Sequence, residues 1–340
     1  MPIVLGANQY GKAEVRLVRV DRATPRHRLT DLSITSQLRG DFAATHLEGD
    51  NAGVIATDTQ KNTVYAFARD GVGSPEAFLA RLARHFLTFP QVTGGRWVAE
   101  QFAWERIGAD RIAVAAARPD PGREAGHDHS FVRSGGGRRT ALVHADTSAD
   151  GSPGLAVLAG LRDVTLLKST GSEFHGFPRD RYTTLPEVTD RVLATDLTAW
   201  WRYTDEFAAS ALDAGDGGAT FDVRYDAVRS ILLETFAGLH SLALQQTVFA
   251  MGKAVLESHP EIAEIRLSCP NNHHFLVDLE PFDLDNPGEV FFAADRPYGL
   301  IEVAVTRSDA EPDTRSDDGT RGSASPAAEH PVWATIGGFV

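Results

Sequence analysis

Hydrophobic and polar positions alternate with a period of two early in the chain. Val15, Leu17 and Arg19 are offset by one from Arg16, Val18 and Val20, and Leu32, Ile34 and Leu38 from Ser33, Thr35 and Gln37. Period two sends successive side chains to opposite faces, so two half-buried strands are predicted, with Gly40-Asp41 as a turn behind them. The period then lengthens to that of a helix. Thr57 or Asp58 can cap a helix running through Val64 and Phe67 to Gly71. Ser74 caps a second helix with Pro75 at its first position and an apolar stripe of Phe78, Leu79, Leu82 and Phe86. Strands return near residues 96–107 and 139–144. The second half repeats the order. Strand-like runs lie at 155–167 and near 193–203. A helix carries Val228, Ile231, Leu232, Thr235, Phe236 and Leu239, and another covers roughly 244–258. Strands follow at 262–267, 275–279 and 300–306.

Each half therefore reads β-β-α-α-β-β, which predicts an α+β fold with antiparallel sheet and paired helices on one face. A nucleotide-binding doubly wound fold would need alternating strands and helices and a Gly-rich turn after a strand, and neither pattern is present. The doubling, in a chain of 340 residues, predicts two domains, at 1–147 and 148–307. Residues 108–126 read as an insertion in the first. Residues 308–330, rich in Asp, Ser, Gly, Pro and Ala, are predicted to be a disordered polar tail. Residues 331–340 turn apolar again and are predicted to dock on a neighbouring surface.

Charge and cysteine narrow the function classes. A formal net charge of -13 argues against a nucleic-acid partner, because phosphate contacts need clustered Lys and Arg. The single cysteine, Cys269, cannot make an internal disulfide or a Cys-based zinc site, and fits a reducing compartment. No basic segment followed by an apolar run opens the chain. No apolar stretch is long enough to span a bilayer, and Gly338-Phe339-Val340 is not a peroxisomal address. A cytoplasmic protein without membrane association is the expectation.

Several segments could carry chemistry, and each has an ordinary structural explanation. His127-Asp128-His129 has two ligand-type residues two apart, but a metal site needs three or four converging groups, so an exposed polar turn is expected. Gly135-Gly136-Gly137 lacks the Lys-Ser/Thr and the helix of a phosphate loop, and reads as a hairpin turn. No Gly-x-Ser-x-Gly elbow exists. Lys12, at the start of a strand, is either a solvated edge residue or a general base. Thr57 is either a cap or a hydroxyl relay at a helix N-terminus, where free N–H groups favour an anion. The stretch from Cys269 through Asn271, Asn272, His273 and His274 to Phe275 is either a turn or a proton-handling site.

Together these segments resemble the uricase (urate oxidase) family of the tunnelling-fold superfamily. The resemblance is carried by Asn8-Gln9-Tyr10-Gly11-Lys12 with Val15-Arg16, and by Ala56-Thr57-Asp58-Thr59-Gln60-Lys61-Asn62-Thr63. It continues in Lys168-Ser169-Thr170-Gly171-Ser172-Glu173-Phe174, Gly176-Phe177-Pro178-Arg179-Asp180, Tyr182-Thr183-Thr184-Leu185 and Asp190-Arg191. Ser241-Leu242-Ala243-Leu244-Gln245-Gln246-Thr247, Pro270-Asn271-Asn272-His273-His274-Phe275 and Ala294-Asp295-Arg296-Pro297-Tyr298-Gly299-Leu300-Ile301-Glu302 complete it.

The resemblance implies two tandem tunnelling-fold domains per chain. It implies subunits that pair into a barrel, and a homotetramer with active sites between subunits. It implies oxidation of urate by molecular oxygen and water to 5-hydroxyisourate and hydrogen peroxide, with no cofactor and no metal. By position, Lys12, Thr57 and His273 are implied as the proton relay. Arg191 would clamp one edge of urate, since its planar fork suits a planar anion, and Gln245 would hold the opposite edge. Phe174 would stack on the purine face. The backbone N–H groups of Asp58 and Leu244 would complete the pocket, Leu185 and Ile301 would line it, and Asn271 would stand beside the oxygen or water site. Asn272 departs from the lysine of many relatives. Two other readings are a tunnelling-fold enzyme of pterins or GTP, which would need a zinc site or a guanine-anchoring glutamate, and a purine-binding protein without urate oxidation.

Overall fold

The computed structural model describes residues 1–108, 126–147, 153–294, 296–307 and 330–336. Of the expected insertion at 108–126 and polar tail at 308–330, residues 109–125 and 308–329 lie outside the described residues. The chain clusters into two compact units, residues 1–159 with 208–222, and residues 160–207 with 223–340.

The first unit holds β1 (Tyr10–Asp21), β2 (Arg28–Gly40), α1 (Ala43–Glu48), α2 (Thr57–Arg69), α3 (Pro75–Phe86), β3 (Val92–Arg106) and β4 (Phe131–Thr147). Its four strands are antiparallel neighbours in that order. Period two decides which face is covered. Leu32, Ile34 and Leu38 are fully buried, while Val18 of β1 stays 58% exposed. The helices lie on one face, where the Phe86 ring of α3 stacks on Trp97 of β3 at 6.3 Å between centroids. Ser74 caps α3 by accepting from the Ala77 N–H at 3.2 Å, with Pro75 in the first turn as predicted. A buried ion pair joins α3 to β4. Arg139 donates to Glu76, which is fully buried, at 2.7 Å, and also to Asp222 at 2.6 Å.

The chain continues with β5 (Pro153–Lys168), β6 (Leu193–Tyr203), α4 (Asp205–Asp213), α5 (Ala219–Gly238), α6 (Leu244–Ser258), β7 (Ile262–Asn271), the short β8 (His274–Leu276) and β9 (Phe291–Ala293), and β10 (Gly299–Thr306); the start of β5, most of α4 and the first residues of α5 cluster with the first unit and the rest forms the second. Here the order is β5-β6-β7-β10, and β8 pairs with β9 in a separate two-stranded ribbon. α6 lies tight on this sheet. A Cβ on its Gly252 would stand 2.6 Å from Val305 Cγ2 and 3.1 Å from Leu267 Cδ1, so no larger residue lets the helix approach so closely. Near the chain's end Trp333 is fully buried on the strand face that carries Glu264 and Arg266. Its indole N–H donates to Glu264 at 2.7 Å, and the Arg266 guanidinium lies over its ring at 4.2 Å.

The two-fold β-β-α-α-β-β order is present, and three local expectations are corrected. The N-cap of α2 is Ala56, so Thr57 is the first helical residue rather than the cap. Gly135–Gly137 lie inside β4, beside an irregularity in its register with β3 between Phe102 and Trp104, and glycine accommodates that bulge where a turn was expected. The strand expected at 275–279 shrinks to β8, because the chain bends into a one-turn helix at Glu280–Phe282. The short helices α1 and α4 and the three-residue β9 had no periodic signal, being too short to show one.

Candidate functional site

The residues singled out from the sequence fall into three groups. The first is Lys12, Thr57 and Asp58. Gly11 lets β1 lie against β2, since a Cβ there would come within 1.7 Å of the Ser36 carbonyl oxygen. Lys12 pairs with Ser36. Between Lys12 and Val15 the register slips in a bulge, with Glu14 at φ 55° and its N–H donating to Thr35 Oγ1 at 3.0 Å. A bulge re-aims the neighbouring side chain. Paired residues share a face, and on that face the Ser36 hydroxyl donates to Gln60 Oε1 of α2 at 2.9 Å. Gln60 is fully buried and returns a bond from Nε2 to the Ile55 carbonyl at 3.3 Å. Tyr10 holds the same approach, its hydroxyl accepting from the Ile55 N–H at 2.7 Å. The strand with Lys12 and the first turn of α2 are thus tied through buried side chains.

What α2 presents there is uncovered. Its N-cap alanine supplies no capping hydrogen bond, whereas Ser, Thr, Asp or Asn would ordinarily satisfy one of the free N–H groups. The Asp58 carboxylate is turned along its own helix, to Lys61 and to Asn62 Nδ2 at 2.9 Å. Those bonds, Lys61 first, hold it below the usual carboxylate range, and the charge of Lys12 adds to the effect. The Asp58 backbone N–H lies in the first turn, at the positive end of the helix dipole, where negative charge is favoured.

The second group is Phe174, Arg191, Leu244 and Gln245. A parallel bridge joins Ser172 to Ser241, with the Glu173 N–H donating to the Ser241 carbonyl at 2.7 Å and the Ser241 N–H to the Gly171 carbonyl at 2.9 Å. Arg191 Nε donates to Ser172 Oγ at 3.2 Å, and the guanidinium carbon lies 5.3 Å from the Phe174 ring centroid. Burial lowers the Arg191 pKa below the ordinary guanidinium value. Phe174 is held by reciprocal backbone bonds to Val188, at 2.8 and 3.0 Å. Thr247 Oγ1 donates to Ser241 Oγ at 2.7 Å and fixes the start of α6. That helix also begins at an alanine, Ala243, with no side-chain cap. Leu244 is buried in its first turn and Gln245 is exposed. Gln246, not Gln245, folds back to accept from the Leu242 N–H at 2.9 Å. Leu185 lies on the same loop as Arg191, 48% exposed.

The third group is Asn271, His273 and Ile301. Asn271 ends β7 and pairs with Thr195 on one side and Gly299 on the other, while Ile301 pairs with Cys269. Burial pushes the Cys269 thiol up to about 12, so it is no nucleophile at neutral pH. The His273 ring lies beside Phe275 at 5.7 Å, and its carbonyl accepts from Ala294 at 2.9 Å. Three residues join α6 to β7, so helix and strand run antiparallel. The start of α6 therefore comes to the same end of the unit as Asn271. Asn272 looks elsewhere. Its amide donates to Asp196 Oδ2 at 2.8 Å, and it lines a separate cavity of about 540 Å³ with Asp196, Pro270, His274 and Tyr298.

Sequence reasoning assigned no role to Gln60, Ser172, Ser241 or Thr247. Only Gln60 left a signal, as a polar residue on the buried stripe Gln60, Val64 and Ala68. His127 and His129 are exposed, and among the described residues no group of three or more His, Cys, Asp or Glu could hold a metal ion. No helix among them is long and apolar enough to cross a membrane.

The sequence model of the uricase family matches residues 8–144 and 157–302. A uricase of Arthrobacter globiformis is 54% identical over 338 residues, covering 99% of this chain and 96% of that one. A uricase of Dictyostelium discoideum is 36% identical over 309 residues, covering 88% and 96%. The crystal structure of the Arthrobacter globiformis uricase superposes with a TM-score of 0.80 at 53% identity, over 98% of this chain and all of that one.

Proposed function

The chain belongs to the uricase family, and from that premise we propose that its reaction is carried by Lys12, Thr57, Asp58, Phe174, Leu185, Arg191, Leu244, Gln245, Asn271, His273 and Ile301. The protein is a urate oxidase. Urate gives two electrons to dioxygen, water supplies the hydroxyl that the ring gains, and the products are 5-hydroxyisourate and hydrogen peroxide. A deprotonated urate is itself the reductant. The protein therefore has to place two reactants and move protons, which side chains can do without a cofactor.

In the proposed division of work, Phe174 takes one face of the purine and Arg191 and Gln245 take opposite edges. The N–H groups of Asp58 and Leu244 bind the ligand's periphery, where two helix N-termini favour negative charge. Leu185 and Ile301 supply apolar walls. Asn271 faces the oxygen or water above the ring, and Lys12, Thr57 and His273 pass the proton. The observation that carries this reading is the pair of alanine-capped helices, α2 and α6, which leave their first N–H groups uncovered beside the residues that match the family's motifs.

Lys12, Thr57 and Asp58 belong to one compact unit and the remaining site residues to the other. The reading places each complete site between two subunits of a homotetramer, in the cytoplasm. Exposed Phe275, Leu276 and Phe292 on the β8–β9 ribbon give such an assembly apolar surface to bury. Mixing inactive Lys12→Ala subunits with inactive Arg191→Ala subunits tests it. The expectation is urate turnover in the mixed oligomer from sites that hold both intact residues. Verified mixed oligomers with no turnover would overturn the shared site.

A further inference from the structure

We propose that Ser172 is the positioning residue of Arg191, and that the fully buried hydroxyls of Ser172, Ser241 and Thr247 set the arginine against the first turn of α6. The proposal rests on the reading of Arg191 and Gln245 as the two edge clamps of urate. An arginine on a loop has four rotatable side-chain bonds, and a fork that grips two atoms of a flat ligand works only if its plane is fixed. Ser172 fixes it from behind. Its Oγ takes the Nε hydrogen at 3.2 Å, so the two terminal nitrogens are the ones left to turn outward.

The opposite clamp is tied to the same point. Ser172 is bridged through backbone to Ser241, and Ser241 Oγ accepts from Thr247 Oγ1 at 2.7 Å. Thr247 Oγ1 also lies 3.3 Å from the carbonyl of Ala243, the N-cap of the helix that presents the Leu244 N–H and Gln245. All three hydroxyl residues are 0% exposed. Buried hydroxyls are retained where they hold a partner, because an apolar residue would pack there without a desolvation penalty. The span between the clamps is therefore fixed through short buried links rather than through the exposed loop of 173–190.

A double-mutant cycle on the full-length enzyme tests this, reading KM for urate, kcat and thermal midpoint. Lysine has no second nitrogen to donate backwards, so Arg191→Lys removes the partner of Ser172. Ser172→Ala is expected to raise KM by about tenfold with kcat within about twofold. Ser172→Thr, which keeps the hydroxyl, is expected to recover most of the loss. In the Arg191→Lys background, Ser172→Ala is expected to add nothing to KM. An equal rise in KM in both backgrounds, or a loss of kcat and thermal midpoint with KM unmoved, would overturn the positioning role. Should Ser172→Ala fail to fold, Ser172→Cys, a poorer acceptor of similar size, takes its place in the cycle with the same expected signs. An unchanged KM in Arg191→Lys alone would instead contradict the clamp role of Arg191.

Discussion

At the scale of one residue, Asn272 stands where the family resemblance implies a lysine. It lies between Asn271 and His273, yet its amide is spent on Asp196, which also accepts from Thr165 Oγ1 at 2.5 Å. A lysine there would meet the Asp196 carboxylate and exchange one polar contact for an ion pair near solvent, worth little net. Asn272→Lys is therefore expected to leave kcat/KM for urate within about threefold of the parent, as steady-state urate consumption would show. A tenfold change would place Asn272 in the reaction. At this scale the sequence was legible where motifs stand in line. It was not legible for Ser172, Ser241 and Thr247, whose burial is decided by segments far apart in the chain closing over them. A serine beside a glycine reads as turn composition until its neighbour across the fold is known.

At the scale of elements, α2 and α6 trade helix stability for an open N-terminus. Ala56→Asp would supply the absent cap to α2 and stabilise the helix by about 1 kcal/mol. It would also occupy the N–H groups proposed for urate and place a carboxylate before an anionic ligand. The expected result is a higher thermal midpoint together with a KM for urate raised at least severalfold. A higher midpoint with unchanged KM would separate the α2 terminus from binding. The loop carrying Phe174 adds a pH dependence. Hydrogen bonds from His240 first, at 2.5 Å, and His175, at 2.9 Å, hold Glu173 below the usual carboxylate range. A lowered carboxylate stabilises the folded loop above the ordinary glutamate pKa, and that contribution is lost as pH falls through the lowered value. Hydrogen-exchange protection factors of the Ser172–Val188 backbone, corrected for the intrinsic pH dependence of exchange, are expected to fall on acidification in the parent and to be flatter with pH in Glu173→Gln. The long strands and helices were legible because several periods fit within each. The α2 cap is misplaced by propensity because Thr57 and Asp58 are better cap formers than Ala56, and propensity cannot register a terminus that the proposed reading leaves open for urate.

For the whole molecule, the repeated β-β-α-α-β-β order is written in hydrophobic spacing alone, and it accounts for two units of similar construction without any repeat of residues. What spacing cannot give is the partition of the proposed site, with Lys12 and Thr57 on one unit and Arg191, Gln245, Asn271 and His273 on the other. Only family motifs group those residues beforehand. The central claim is that this arrangement oxidises urate by positioning and proton transfer, with urate itself as the reductant. The direct measurement follows urate absorbance, dissolved oxygen and hydrogen peroxide together in purified, EDTA-treated protein. The account predicts that urate and oxygen fall in equal amounts, that peroxide rises to match, and that added metal changes nothing. Urate left untouched, or turnover lost to EDTA and restored by a metal ion, would contradict it.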